Sequence, residues 1–208
     1  MSLDRAALAS FDEAAAQIAY RRWECAVFRK TSDRWGGLSN MAAGFPIVVN
    51  DVPIRTSEAL YQACRFPNLP TVQREVIAQA SPMAAKMKSK PHRKDARPDF
   101  DSLRVPIMWW SLRVKLACNP ATFAPLLLAT DRLTIVEDSH KDTYWGAIPS
   151  DQNSESLIGR NILGRLLCLL RSVLDQHGLE AMLVVTPLPI TDFKLYGVPI
   201  RTVGATAA

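Results

Sequence analysis

The sequence predicts an α+β protein, a predominantly helical single domain with a few short strands. Its 208 residues fit one domain of ordinary size. Apolar residues make up 48% of the chain and charged residues 22%, which is typical of a globular protein. Apolar side chains recur at helical spacing in several segments, whereas the extended segments are only a few residues long.

The first predicted element is an amphipathic helix over residues 3–22. Short extended segments follow, and they include a hairpin that turns at Asn50-Asp51: residues 26–28, 46–49 and 52–55. A helix then begins at Thr56-Ser57, because a hydroxyl can cap the free N–H groups of a helix start. We expect it to end near Pro67.

The remaining elements are mainly helical. Ser81-Pro82 begins one helix, with serine at the cap and proline in the first turn. The long helix before Gly178 has the strongest apolar repeat, and the glycine suits its end. The other predictions are helices at 72–80, 106–119 and 122–129, this long helix at 158–177, and strands at 133–137 and 181–185.

These elements divide the chain into three parts. Residues 1–24 are predicted to form an N-terminal helical extension, residues 25–180 the main domain, and residues 181–208 an extended C-terminal tail. Pro187, Pro189 and Pro199 favour an extended conformation in the tail.

Composition argues against several classes of protein. The four cysteines are widely spaced and form no C-x-x-C pair, so we expect reduced thiols in a cytoplasmic protein. The N-terminus lacks the apolar segment of a signal peptide, and no apolar run is long enough to span a membrane. The three histidines have no ligand spacing and no nucleotide-binding glycine motif is present, so neither a metal nor a cofactor is predicted.

The net charge of +5 is concentrated between Lys86 and Arg97, which contains six lysines and arginines. Such a run is commonly a solvated surface. Alternatively, it binds an anionic substrate, either phosphates or a nucleic-acid backbone.

Several polar residues occupy positions where apolar ones would be expected. Glu58 and Gln62 lie one turn apart on the predicted helix 56–66, and Lys86 lies in a turn of small and apolar residues. Asp142 and Trp145 share a polar loop, where a tryptophan either covers the core or stacks on a ring. Asn161 begins the long helix, where backbone N–H groups can bind a phosphate.

The ordered motifs of the chain resemble those of the NADAR family, which includes the YbiA-like proteins. The similarity extends over about residues 26–175. It rests on W-G-G-L-S-N-M (35–41), T-S-E-A-L-Y-Q-A-C-R-F (56–66), S-P-M-A-A-K-M-K (81–88), M-W-W-S-L-R-V-K-L-A-C-N-P (108–120), L-L-L-A-T (126–130), D-T-Y-W-G-A (142–147) and G-R-N-I-L-G-R-L-L-C-L-L-R (159–171).

The resemblance implies a YbiA-like fold with a pocket that hydrolyses N-glycosidic bonds, and residues 25–180 are then its glycosidase domain. By the same resemblance Glu58, Lys86 and Asp142 are catalytic. The substrate-binding positions that it implies are Asn40, Gln62, Trp145, Gly146 and Asn161. Lys115 also matches a family lysine, but its place on a core helix favours a structural role.

Three positions depart from the common family pattern. Arg65 stands where lysine is usual, and Phe100 stands near a common tryptophan. Ala147 replaces the acid that often follows Trp-Gly, and Asp151 is a loose candidate for that acid. The W-G-A form and the C-terminal tail are more similar to family members that are paired with DarT-type toxins. Those family members release ADP-ribose from guanine in nucleic acid.

Three functions therefore stay open at this stage. The first is removal of ADP-ribose from ADP-ribosylated guanine, with a DarT-type toxin as a partner. The second is YbiA-like hydrolysis of ribosyl-phosphate intermediates of riboflavin biosynthesis. The third is a non-catalytic module that binds ADP-ribose. In either reaction a carboxylate stabilises positive charge on the ribose and another activates water. Glu58 and Asp142 share these tasks, while Lys86 binds phosphate, protonates the base or attacks C1′.

Overall fold

A computed structural model of the chain describes residues 16–150 and 155–204, and it confirms the predicted α+β class. The described part is mainly helical. Its helices are α1 (Ser57–Ala63), α2 (Pro70–Ile77), α3 (Pro82–Ser89), α4 (Phe100–Cys118), α5 (Pro120–Leu128) and α6 (Ile162–His177). Short 3₁₀ turns lie at Arg22–Glu24, Gly36–Leu38, Lys90–Asp95 and Glu180–Met182.

The strands are short and form four small sheets rather than one. They are β1 (Ile18–Arg21), β2 (Cys25–Phe28), β3 (Ile47–Val49), β4 (Val52–Ile54), β5 (Thr134–Glu137), β6 (Ile148–Pro149), β7 (Ser156–Gly159), β8 (Lys194–Leu195) and β9 (Val198–Pro199). β7 pairs antiparallel with both β1 and β6, whereas β2 and β5 run parallel. β3–β4 and β8–β9 are hairpins.

Helix α4 is the centre of the domain. Every side chain from Val105 to Leu116 is buried, so this helix is enclosed on all faces by the other elements. A helix that is covered all round lacks the one-sided apolar pattern of a surface helix. This explains why the sequence pattern identified only its later part, 106–119, whereas the helix begins at Phe100 with Pro106 inside it.

Local sequence signals explain the starts of α1 and α3 and the turn between β3 and β4. The Thr56 hydroxyl accepts a hydrogen bond from the Ala59 N–H at 3.3 Å, and the Ser81 hydroxyl accepts one from the Ala84 N–H at 3.1 Å. Asn50 and Asp51 both have positive φ, which a two-residue hairpin turn of the predicted kind requires.

The structure corrects the prediction at both ends of the chain. Most of the helix predicted over 3–22 lies on residues 1–15, outside the described residues, but its end is wrong because Ile18–Arg21 is strand β1. The segment 181–204 does not lie apart as a tail. It adds buried side chains to the main core, which are Met182, Val185, Phe193, Leu195, Ile200 and Val203. The predicted strand 181–185 is instead a 3₁₀ turn and a single bridge from Val185 to Val203.

Candidate active site

Helix α1 is completely buried, including its polar residues. Glu58 lies in its first turn and is only 6% exposed, and Gln62 lies one turn later on the same face. A buried carboxylate is costly unless partners stabilise it. The Gln62 side-chain amide donates a hydrogen bond to a Glu58 carboxylate oxygen at 2.8 Å.

Gln62 connects Glu58 to two neighbouring elements. Its side-chain oxygen accepts hydrogen bonds from the Ser89 hydroxyl at 2.8 Å and from the Arg65 guanidinium at 3.2 Å. Ser89 is the last residue of α3, so this amide joins α1 to the helix that carries Lys86. Because both polar ends of Gln62 are occupied, the orientation of the Glu58 carboxylate is fixed.

Asn40 fixes the start of α1 from the preceding loop. Its backbone oxygen accepts the Glu58 N–H at 3.2 Å, and its side-chain oxygen accepts the Ser57 hydroxyl at 3.3 Å. Lys115 of α4 holds that loop in turn, because its ammonium group donates to the Gly37 and Ser39 carbonyls at 2.6 and 2.9 Å. Lys115 is therefore a structural residue of the core, in line with the sequence interpretation.

Asp142 organises the loop that carries Trp145. One of its carboxylate oxygens accepts the backbone N–H groups of Tyr144 and Trp145 at 3.0 and 2.8 Å. The Trp145 ring then packs edge-on against Tyr61 of α1, with ring centroids 5.7 Å apart. The second Asp142 oxygen is not used in this turn, so Asp142 can both shape the loop and face a substrate.

These elements surround a cavity of about 290 Å³, at the lower end of the size range of ligand pockets. Six of the eight predicted site residues line it: Asn40, Glu58, Gln62, Lys86, Asp142 and Trp145. The other residues of its wall are Met41, Tyr61, Arg65, Arg93, Met108, Glu137, Ser139 and Leu163.

Gly146 and Asn161 are not in the wall of the cavity, so their role in substrate binding stays a prediction, and their contacts in this structure are structural. A side chain on Gly146 would meet the Glu137 carbonyl, so glycine is required for close backbone packing. Asn161 is fully buried at a positive φ of 50°. Its side chain accepts the Glu137 N–H and donates to the Ile135 carbonyl, and it therefore anchors strand β5.

Glu137 is the main residue of the cavity that the sequence did not reveal. It ends β5, and nothing in its neighbourhood of the sequence marks it as functional. Burial raises the pKa of its carboxyl group to about 7, and the negative charges of Asp142 and Glu58 act in the same direction. Burial also raises the pKa of Glu58, against the opposing effect of the Lys86 charge and the Gln62 hydrogen bond.

Two departures from the family pattern contact each other at the cavity. The Arg65 guanidinium lies 4.0 Å from the centre of the Phe100 ring, a cation–π contact. Ala147, where an acid is common, is fully buried, and Asp151 lies outside the described residues.

A second and larger groove, of about 800 Å³, lies elsewhere and contains none of the predicted residues. Strand β1, Cys25, Thr134 and α6 line it, next to the boundary of the undescribed residues 1–15. It lacks the opposed carboxylates and lysine of the smaller cavity, so the smaller cavity is the candidate active site.

The described residues contain neither a candidate metal-binding cluster nor a candidate membrane-spanning helix. No three histidine, cysteine or acidic side chains between residues 16 and 150 or 155 and 204 are arranged to hold a metal ion. No helix in these ranges is both long and apolar enough to cross a membrane.

Comparison with known proteins identifies the family. The NADAR domain model matches residues 27–175. The N-glycosidase YbiA of Escherichia coli strain K12 is 36% identical over 148 residues, which are 71% of this chain and 86% of the relative. A riboflavin biosynthesis protein of Vibrio vulnificus is 30% identical over 153 residues, which are 73% of this chain and 39% of that protein.

A solved structure supports the same family. The NMR structure of E. coli YbiA matches with a TM-score of 0.61 and 32% identity, and the match covers 77% of this chain and 94% of that one. The chain therefore has the fold of an N-glycosidase. The chain belongs to the NADAR family, as its motifs predict.

Proposed function

We propose that this N-glycosidase removes ADP-ribose from ADP-ribosylated guanine in nucleic acid. The observation that carries the proposal is the cavity in which Glu58, Asp142 and Lys86 meet beside an aromatic wall, with two arginine side chains in its lining. Cleavage of a C1′–N bond builds positive charge on the ribose, which opposed carboxylates stabilise. The volume of the cavity suits the ribosyl group, while the rest of the substrate extends over the mouth.

Glu58 and Asp142 take different roles in this proposal. Asp142 uses one oxygen for its loop, so its second oxygen is a fixed negative charge beside the ribose. Glu58 is held in place by the Gln62 amide, and burial raises the pKa of its carboxyl group above the ordinary value. Glu58 therefore removes a proton from the attacking water. Trp145 and Tyr61 provide an aromatic surface for the base.

Lys86 binds an anionic group of the substrate. It lies on α3, whose capped N-terminus and link through Ser89 to Gln62 fix its position. Borohydride reduction of the enzyme with substrate distinguishes this role from nucleophilic attack. Recovery of a ribosyl adduct on Lys86 would make it a Schiff-base nucleophile and overturn the phosphate-binding role.

The basic segment supports a polymeric substrate, but only through some of its residues. Arg97 is buried and bonded to Asp99 and the Thr191 carbonyl, and Lys88 pairs with Glu75. By contrast, Arg93 lines the cavity, and Lys90 and Lys94 are exposed in the same 3₁₀ turn. These three cations can contact phosphates that flank the modified guanine.

The test is incubation of the protein with an oligonucleotide that carries ADP-ribosylated guanine, followed by measurement of free ADP-ribose. We expect release that is lost in Glu58→Gln. Replacement of Arg93 and Lys94 by glutamine should weaken binding of the oligonucleotide and reduce its salt dependence. Lys88→Gln is the matched control, because that lysine is already paired on the surface, and it should change neither property.

A second substrate is favoured by a specific observation, the similarity to the Vibrio riboflavin biosynthesis protein. Riboflavin intermediates are ribosyl phosphates with an N-glycosidic bond, so the cavity could hold their ribosyl group in the same way. Activity on them, without release from the oligonucleotide, would make them the substrate. Failure on both substrates with retained ADP-ribose binding would indicate a binding module. Protection of cells from a DarT-type transferase tests the antitoxin role separately.

A further inference from the structure

Glu137 is held more rigidly than a surface carboxylate. Its backbone N–H donates to the Asn161 side chain at 3.1 Å, and its carbonyl accepts the Ala147 N–H at 2.9 Å. Strand β5 also pairs with β2 along its whole length. A side chain at this position therefore has a fixed origin, which is a requirement for chemistry at a defined atom.

The strand pattern directs this side chain toward the site. Successive residues of a strand point to opposite faces. Ile135 packs in the main core, and Val136 packs with Tyr20 in a second cluster on the opposite face. Glu137 is therefore on the same face of the strand as Ile135. Glu137 is half-buried there, and its carboxylate lines the cavity.

Charged groups face Glu137 from each neighbouring element. Glu58 lies on α1, Lys86 on α3 and Asp142 on the loop after β5, and Arg65 and Arg93 line the same cavity. The two acids disfavour a third negative charge and Lys86 favours it. With burial included, the pKa of Glu137 rises to about 7, so a substantial fraction of the carboxyl groups keeps its proton at neutral pH.

We propose that Glu137 is a further catalytic residue, the general acid that protonates the departing nitrogen. The inference rests on the proposed glycosidase reaction in this pocket. The C1′–N bond breaks, its electron pair stays on nitrogen, and the proton of the Glu137 carboxyl group neutralises that nitrogen. Water forms the new C1′–O bond and gives its proton to Glu58. Transfer of that proton to solvent, and uptake of one by Glu137, restores both acids.

The experiment is the pH dependence of kcat/KM for wild type, Glu137→Gln and Glu137→Asp, on whichever N-ribosyl substrate the wild type hydrolyses. The wild-type rate should fall above a pH of about 7 as Glu137 loses its proton. Glu137→Gln should reduce kcat by at least about 100-fold and should lose this fall, because glutamine supplies no proton. Glu137→Asp should keep the fall with a reduced kcat.

Other outcomes separate the two proposals. A wild type that is inactive on every N-ribosyl substrate would refute the proposed function itself. An active wild type with a Glu137→Gln variant that keeps the fall above pH 7 would overturn only the role of Glu137, even if its kcat is lower, because a structural defect would not move the profile. Glu137→Gln should fold, because it removes a charge that is costly to bury, and circular dichroism checks this.

Discussion

The cavity around Glu58 and the interior around Lys115 both bury charge, but they compensate it differently. In the cavity, side chains of both signs from α1, α3 and the loop after β5 face one another across an open space. In the interior, the Lys115 ammonium group is fully buried. It is met by two carbonyl oxygens and by the rings of Phe45 and Phe123, each 4.4 Å away.

The difference separates a functional charge from a structural one. Lys115 uses its donors on the backbone of the loop that holds Asn40, so no group is left to meet a substrate. The acids of the cavity keep oxygens that face the open space, at the cost of mutual repulsion. Proteins accept such destabilisation at sites that act on a ligand. Four substitutions test this contrast, from the largest expected effect to the smallest.

Glu58→Gln should have the largest effect of the four, a loss of activity without a loss of stability. Removal of a general base typically lowers turnover by about 100- to 10,000-fold. The raised pKa of Glu58 means that its ionised form destabilises the fold at neutral pH, so the variant should melt at the same temperature or higher near pH 7. Steady-state rates and thermal melts measure both effects. A variant that is fully active would remove Glu58 from the mechanism.

Lys115→Met should have the largest effect on stability. It leaves the Gly37 and Ser39 carbonyls without their donor, which should lower the free energy of unfolding by about 2–4 kcal/mol. Burial lowers the pKa of Lys115 to about 7, so between pH 7 and its unfolded value the unfolded chain binds more protons. The stability of the wild type should therefore gain a component that rises with pH in that window.

The methionine variant should lack this component, which urea titrations between pH 7 and 10 can detect. Lys88→Gln is the matched control, because it also removes one lysine. An equal pH slope in wild type and Lys115→Met would contradict the buried, uncharged state of Lys115 at high pH.

Asn161→Ala should have an intermediate effect. It removes two buried hydrogen bonds and puts alanine at a positive φ, and the expected loss is about 1–3 kcal/mol. Asn161→Gly loses the same bonds without the backbone strain, so the difference between the two variants should be about 1 kcal/mol. If Asn161 instead bound substrate directly, both variants would raise KM with unchanged melting temperatures.

Lys88→Gln should have the smallest effect. Its ion pair with Glu75 is exposed on both sides, and such pairs contribute about 0–1 kcal/mol. Chemical denaturation at low and high salt would reveal the pair, since salt screens it. A loss of activity comparable to that of a Lys86 variant would mean that the outer face of α3 belongs to the site.

The sequence predicted what depends on local chemistry. The Ser81 cap, the Asn50-Asp51 turn and the repeat of α6 each involve neighbours in the chain, and the structure bears them out. The helix α6 begins at Ile162 rather than at residue 158, because 156–159 is strand β7, which pairs with the nearby β6 and with β1, a strand far away in the sequence.

The site was predictable only in part for the same reason. Family motifs led to six residues of the cavity wall, whereas Asn161 and Glu137 could be understood only once β5 and α6 were brought together. Asparagine at a helix start and glutamate at a strand end are both common, and no neighbouring residue in the sequence indicates whether such a residue has a structural or a catalytic role. Long-range packing decides their roles.

The strands and side chains outside residues 27–175 have a practical consequence for anyone who shortens this protein. The span that the family shares is not a unit that could be cut out intact. Removal of the residues before it would strip β1 from β7 and uncover Val136 and Leu157 beneath Tyr20. Removal of those after it would take Phe193 from its contact with Trp110, 4.8 Å between ring centres, and open the central helix to water. A fragment trimmed to the family boundaries should therefore aggregate. A fragment that keeps residues 16–204 retains both β1 and the C-terminal segment that contains Phe193.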